Sequence, residues 1–136
     1  MPDPHPRGLL DTSVVIDLDH LDSTALPEQP GVSAITMAEL TAGPHATADP
    51  RERARRQDRL QRAEATFDAL PFDGAAARAY GEIYAAVAAA GRKARGARPL
   101  DLLIAATARA AELPLYTRDP DDFAILGDLV EIVTVP

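Results

Sequence analysis

The sequence predicts an α/β fold with a central, mostly parallel sheet flanked by helices. Two observations carry that prediction. Short apolar runs alternate along the 136 residues with stretches whose apolar positions recur every three or four residues. Several runs end in a carboxylate where the next helix begins, and functional groups of parallel sheets gather at the carboxyl ends of their strands. The length fits one domain, residues 1–136, large enough to bury about two-thirds of its unfolded surface without disulfides or a structural metal.

Gly8 to Leu10 reads as a first strand, leading into a helix over Ser13 to Asp19 on which Val14, Val15 and Leu18 recur at helical spacing. Gly31 to Ile35 reads as a second strand, followed by a helix from about Met37 that stops near Gly43-Pro44. From Pro50 to Leu70 a longer helix is expected, because Leu60, Ala63, Phe67 and Leu70 step along one face. Ala76, Tyr80, Ile83, Val87 and Ala90 repeat that stepping, and Gly91 is placed to close the helix. Leu100 to Glu112 is an alanine-rich helix able to pack close to a sheet. Leu113 to Thr117 follows as a strand, Asp121 to Leu126 as a short helix, and Val130 to Val135 as the last strand. The expected architecture is a three-layer α/β/α arrangement.

Composition narrows the chemistry. Cysteine is absent, which removes thiolate metal sites and thiol nucleophiles and fits a reducing compartment. The first residues lack a basic segment followed by an apolar one, and no apolar run could span a bilayer, so a cytoplasmic protein without membrane contact is expected. The formal net charge of −7 opposes phosphate binding in general, but the basic residues are clustered. Arg51, Arg53, Arg55, Arg56, Arg59 and Arg62 are interleaved with Glu52, Asp58 and Glu64 and read as a solvated helix face. Arg92, Lys93, Arg95 and Arg98 have no acid among them and are candidates for RNA phosphate contacts.

The main functional clue is the address of the acids: Asp11 in Leu9-Leu10-Asp11-Thr12-Ser13, Glu39 in Ile35-Thr36-Met37-Ala38-Glu39, Asp101 in Pro99-Leu100-Asp101-Leu102, and Asp119 in Leu115-Tyr116-Thr117-Arg118-Asp119. Each also has a local explanation. Asp11 suits a helix N-cap, Glu39 lies three residues after Thr36 as in a capping box, and Asp101 falls in a first helical turn. Asp119 precedes Pro120 as an N-cap would, with Asp121 and Asp122 as first-turn acids. Capping and metal binding are compatible, since a helix-start carboxylate is also aimed out of the sheet edge. Acids converging there would suit one or two Mg²⁺ or Mn²⁺ ions, which take oxygen ligands. Such ions can activate a water and stabilise a phosphodiester leaving oxygen, so no side-chain nucleophile is needed. His5, His20 and His45 have no ligand or triad spacing.

At these residues the chain resembles the PIN domain family and, within it, the VapC toxins of bacterial toxin-antitoxin pairs. The matching stretches are Leu10-Asp11-Thr12-Ser13 with Val14 to Asp17, Ser33 to Leu40, Asp101 to Ala108, and Leu115 to Asp119 with Asp122-Phe123. The resemblance implies a metal-dependent endoribonuclease acting on structured RNA, either transfer or ribosomal, with Asp11, Glu39, Asp101 and Asp119 as the acidic quartet around Mg²⁺ or Mn²⁺. Many relatives place asparagine at the position of Asp119 and the fourth acid at that of Asp122, so both are candidate ligands. Thr12, Ser13 and Thr117 become candidates for orienting the carboxylates. The resemblance further implies a homodimer and a VapB-type antitoxin that can place a basic side chain in the acidic pocket.

Two other readings compete. Asp17-Leu18-Asp19 resembles the strand-end Asp-x-Asp of haloacid dehalogenase-like phosphatases, although Leu21 stands where those enzymes favour threonine or valine and Lys93 is the only lysine. A non-catalytic module whose acids only cap helices and attract a basic partner is the other. Few aromatic residues are available for base stacking, so recognition of RNA should rest on shape and phosphates.

Overall fold

The computed structural model describes residues 6–91 and 98–136. Its sheet is formed by β1 (Arg7–Leu10), β2 (Gln29–Gly31), β3 (Leu115–Thr117) and β4 (Ile132–Thr134), in the order β2-β1-β3-β4 with every pair parallel. The helices are α1 (Thr12–Ile16), α2 (Ala34–Ala42), α3 (Pro50–Thr66), α4 (Gly74–Ala90) and α5 (Pro99–Ala110). Apart from the exposed Arg7, both central strands are buried from either side, as strands covered by helices on two faces must be. Leu9 and Leu115 join α4, α5, Phe123 and Leu126 in one core, whereas Leu10 and Tyr116 join α1, α3, Val32 and Val135 in the other. The expected three-layer α/β/α fold is present.

Several boundaries differ from the sequence reading, each for a local reason. The expected helix over Ser13 to Asp19 stops at Ile16, and Leu18–His20 form a separate 3₁₀ turn. Thr12, Val14, Val15 and Ile16 are β-branched and extend a helix poorly, and the Asp17 carboxylate is drawn to Arg118 at 2.7 Å. The expected strand Gly31 to Ile35 ends at Gly31, because the Ser33 hydroxyl accepts the Thr36 N–H at 3.0 Å and starts α2 at Ala34. The long helix ends at Thr66 rather than Leu70. Leu70 instead lies parallel to Ser33, donating its N–H to the Val32 carbonyl and accepting from Ala34. Gly91 closes α4 with φ of 56°, as expected. At the end of α5, Glu112 takes φ of 55° and Leu113 donates to the Ala108 carbonyl, so the helix stops two residues before the expected Glu112. The short helix expected over Asp121 to Leu126 is two 3₁₀ turns, Pro120–Asp122 and Ala124–Leu126. Among the described residues no helix is long and apolar enough to cross a membrane.

The first arginine cluster lies on α3. Arg55 and Arg56 pair with Glu52, Arg62 with Asp58 and Asp19, and Arg53 and Arg56 donate to carbonyls of Pro44, Thr47 and Gly43. These are exposed pairs that fasten the turn before α3, in keeping with a solvated face.

Gly8 in β1 is needed for packing. A Cβ there would stand 2.5 Å from Cε1 of the buried Tyr116 ring, whereas at Gly31 the nearest atom would be 3.8 Å away. Gly8→Ala is therefore expected to destabilise the protein by about 1–3 kcal/mol through overpacking, and Gly31→Ala by less. Equal urea midpoints for the two variants would contradict this packing account.

Candidate metal centre

Asp11 is the first residue after β1. Its N–H continues the sheet ladder to the Tyr116 carbonyl at 2.8 Å, so the strand pairing itself sets where the side chain begins. It occupies the N-cap position of α1, yet its carboxylate makes no cap hydrogen bond. Instead Oδ2 accepts from Ser13 Oγ at 2.8 Å and from Thr117 Oγ1 at 2.9 Å. Both hydroxyls are in turn held by backbone donors: Ser13 Oγ accepts the Arg118 N–H at 3.1 Å, and Thr117 Oγ1 accepts the Asp119 N–H at 3.0 Å. The ends of β1 and β3 thus fix one oxygen of a nearly buried acid.

Glu39 lies within α2, not in a capping box. Ser33 is the N-cap and Thr36 is fully buried in the first turn, so the Thr36-to-Glu39 spacing has another meaning. Glu39 Oε1 accepts from Thr12 Oγ1 at 2.7 Å, which ties α2 to the start of α1. Asp101 sits in the first turn of α5, where it accepts the Arg98 N–H at a long 3.4 Å, a weak capping bond, and meets Arg98 Nε at 3.5 Å. Its own side chain is 8% exposed while that of Arg98 is 74% exposed, so the cation stands at the rim over a buried acid. In Asp11, Glu39 and Asp101 the second oxygen carries no hydrogen bond among the described residues.

The acids act on one another across this space. Burial first, and then the charge of Asp11, push the Asp101 carboxyl above its ordinary value; Asp122 adds to the effect and Arg98 opposes it. Burial likewise raises Asp122, reinforced by Asp119 and Asp11 and opposed by Arg98. The charges of Asp101, and then of Asp122 and Glu39, raise the Arg98 guanidinium. Asp119 is exposed and follows β3 with φ of −119°; it holds the N-cap position expected of it without a side-chain cap bond. Asp122 is half-buried.

Among the described residues no three acidic or histidine side chains are already closed around one point. Uncompensated carboxylates repel, which accounts for an open arrangement. The donor set is nonetheless of the right kind for a hard cation: all oxygen, drawn from rigid elements, with one oxygen of each of the three best-placed acids unengaged among the described residues. Arg92, Lys93 and Arg95 lie outside the described residues. Asp17 and Asp19 do not form a strand-end pair; they follow α1 and bind Arg118 and Arg62, which removes the phosphatase reading.

Sequence reasoning missed three contributors. Thr36 was visible three residues ahead of Glu39 but was explained by a capping box, and Ser33 fell within the expected strand Gly31 to Ile35. Arg118 carries the N–H that anchors Ser13, and its partner Asp17 is 101 residues away, a pairing no local pattern reveals.

A family model for the PIN domain matches residues 8–129, and the chain belongs to that family, in its VapC branch. It is 38% identical over 133 residues to Ribonuclease VapC5 of Mycobacterium tuberculosis, covering 94% of this chain and 95% of the relative. Ribonuclease VapC8 of the same species is 39% identical over 102 residues, covering 74% of this chain and 89% of that protein. The crystal structure of VapBC-5, a member of the VapBC family of toxin-antitoxin systems from M. tuberculosis, superposes with a TM-score of 0.82 at 35% identity, over 96% of this chain and 98% of the matched one. PIN-domain ribonucleases depend on divalent metal in general.

Because burial and neighbouring charge both disfavour ionised Asp101, Asp101→Asn is expected to leave the metal-free protein at least as stable as wild type. Urea denaturation in a chelator measures this, and a clear loss of stability would mean that Asp101 is chiefly a structural cap.

Proposed function

We propose that this chain is the ribonuclease toxin of a toxin-antitoxin pair, a metal-dependent endoribonuclease that hydrolyses phosphodiester bonds in structured RNA and is held inactive by a VapB-type antitoxin. The observation that carries the reading is the half-held carboxylate: Asp11, Glu39 and Asp101, from three different elements at one edge of the sheet, each have one oxygen bound by the protein and one unengaged among the described residues. Helix capping accounts for neither Asp11 nor Glu39, so a module whose acids merely cap helices is the weaker account.

Asp11, Glu39, Asp101 and Asp122 would hold Mg²⁺ or Mn²⁺. We prefer Asp122 to Asp119 as the fourth acid, since it is half-buried and its charge reaches Asp101, whereas Asp119 is exposed. When bound, such an ion supplies activation of water and charge stabilisation at the leaving oxygen. The chain's own residues do the rest. Ser13 and Thr117 hold Asp11 in place, and Thr12 holds Glu39. Arg98, exposed and tied to Asp101 by long contacts, can turn to a backbone phosphate of the RNA. Arg92, Lys93 and Arg95 extend that basic strip along the sequence. The substrate class is a transfer RNA or a ribosomal RNA loop, the working form is a homodimer, and the compartment is the cytoplasm. A basic side chain of the antitoxin entering the acidic pocket would satisfy the unengaged oxygens and inhibit without a change of fold.

Sequencing RNA ends after brief expression, with Asp11→Asn as control, tests activity and reveals the cut site together. Reproducible new ends are expected with the wild type and not with the variant. Asp101→Asn is expected to reduce cleavage beyond the roughly 10- to 100-fold typical of groups that only orient ligands, and Asp122→Asn to be more damaging than Asp119→Asn. Undiminished cleavage by Asp101→Asn would remove that acid from the site, and the reverse order of the other two would return the fourth place to Asp119.

A further inference from the structure

Among the described residues, three threonines inside longer helices turn their hydroxyls back onto their own helix. Thr41, Thr66 and Thr107 each donate to the carbonyl four residues earlier, those of Met37, Arg62 and Leu103, at 2.8, 2.7 and 2.9 Å. Thr36, fully buried in the first turn of α2, instead directs its hydroxyl to Thr12 at the start of α1, 3.0 Å away.

Counting protons gives this contact a direction. A threonine hydroxyl has one proton, and that of Thr12 goes to Glu39 Oε1 at 2.7 Å, the shortest contact in the group. Thr36 must then be the donor to Thr12. Its own oxygen accepts from Ser33 Oγ at 3.4 Å, and Ser33 Oγ is fixed by the Thr36 N–H at 3.0 Å. The result is a relay, Thr36 to Thr12 to Glu39, with a weaker first link from Ser33 and every hydroxyl proton pointing toward the carboxylate. Donors aligned in series polarise one another and resist reorientation.

We propose that Thr36 is a positioning residue that acts through Thr12 to fix Glu39 Oε1 and thereby present Oε2 to the cation. This rests on the reading of Glu39 as a metal-facing acid. Without Thr36, the Thr12 hydroxyl could rotate and Glu39 could leave the site, because no other described side chain holds it. The relay also gives a use to Ser33 and Thr36, fully buried polar residues at the start of α2.

The test uses Thr36→Val, which keeps the shape and removes the hydroxyl, Thr36→Ser, which restores it, and Thr107→Val, which removes a comparably buried hydroxyl bonded only to its own helix. Mn²⁺ binding by calorimetry and RNA cleavage are measured on each full-length protein. For Thr36→Val the expected result is Mn²⁺ affinity and kcat each lowered about 10-fold, with KM for RNA unchanged. Thr36→Ser should lie within about 3-fold of wild type and Thr107→Val should match it. Wild-type Mn²⁺ affinity in Thr36→Val would overturn the proposal, as would failure of serine to rescue or an equal loss in Thr107→Val, which would mark a packing effect. Should wild type itself neither bind Mn²⁺ nor cleave RNA, the nuclease reading fails first. Should Thr36→Val fail to fold, Ser33→Ala carries the same expectation in smaller degree, and wild-type affinity there would count against the relay.

Discussion

Mutual repulsion of carboxylates gathered at one edge of a parallel sheet is the constraint around which this structure is organised. Asp11, Asp101 and Asp122 come from separate parts of the chain, and burial together with their neighbours' charges opposes ionisation of Asp101 and Asp122. An unsupported cluster of this kind would turn its side chains outward. Here hydroxyls restrain it: Ser13 and Thr117 hold Asp11, Thr12 holds Glu39, and Arg98 lies over Asp101. The Ser13 and Thr117 hydroxyls are themselves anchored to the backbone N–H groups of Arg118 and Asp119, and that of Thr12 meets the Thr36 hydroxyl, so the geometry of the strand ends passes directly into the site.

That anchoring explains why two short central strands suffice. The pairing of Leu9 with Leu115 and Leu10 with Tyr116, continued by the Asp11 N–H to Tyr116, aligns the ends of β1 and β3. Layers of helix on both faces bury those strands. Alternating side chains, Leu9 and Leu115 to one core and Leu10 and Tyr116 to the other, lock the register, since a one-residue slip would exchange the two faces. Arg98 adds a movable element. It is the described cation nearest the acids, exposed and weakly held, and it can serve as counterion in one state and as a phosphate ligand in another. An antitoxin side chain of like charge would use the same chemistry to block the site.

Much of this was legible in the sequence because it depends on patterns with short range. The alternation of apolar runs and helical stepping marked the layers, and Gly91 marked the end of α4. What was not legible depends on competition between local and distant partners. Ser33 captures the Thr36 N–H and ends an apolar run that looked like a strand, and Leu70 leaves the helical pattern to pair with Val32. The Thr36-to-Glu39 spacing matched a capping box, but the hydroxyl that reaches Glu39 belongs to Thr12, 27 residues earlier. Asp11 and Asp119 stand at cap positions without capping, a distinction that only the partners of the side chains reveal.

The most direct measurement is a crystal structure of the protein with Mn²⁺, located by anomalous scattering. The account predicts a peak contacted by Asp11, Glu39, Asp101 and Asp122, with Asp11 Oδ2 and Glu39 Oε1 still bound to their hydroxyl donors. A peak elsewhere, or none at saturating Mn²⁺, would contradict it.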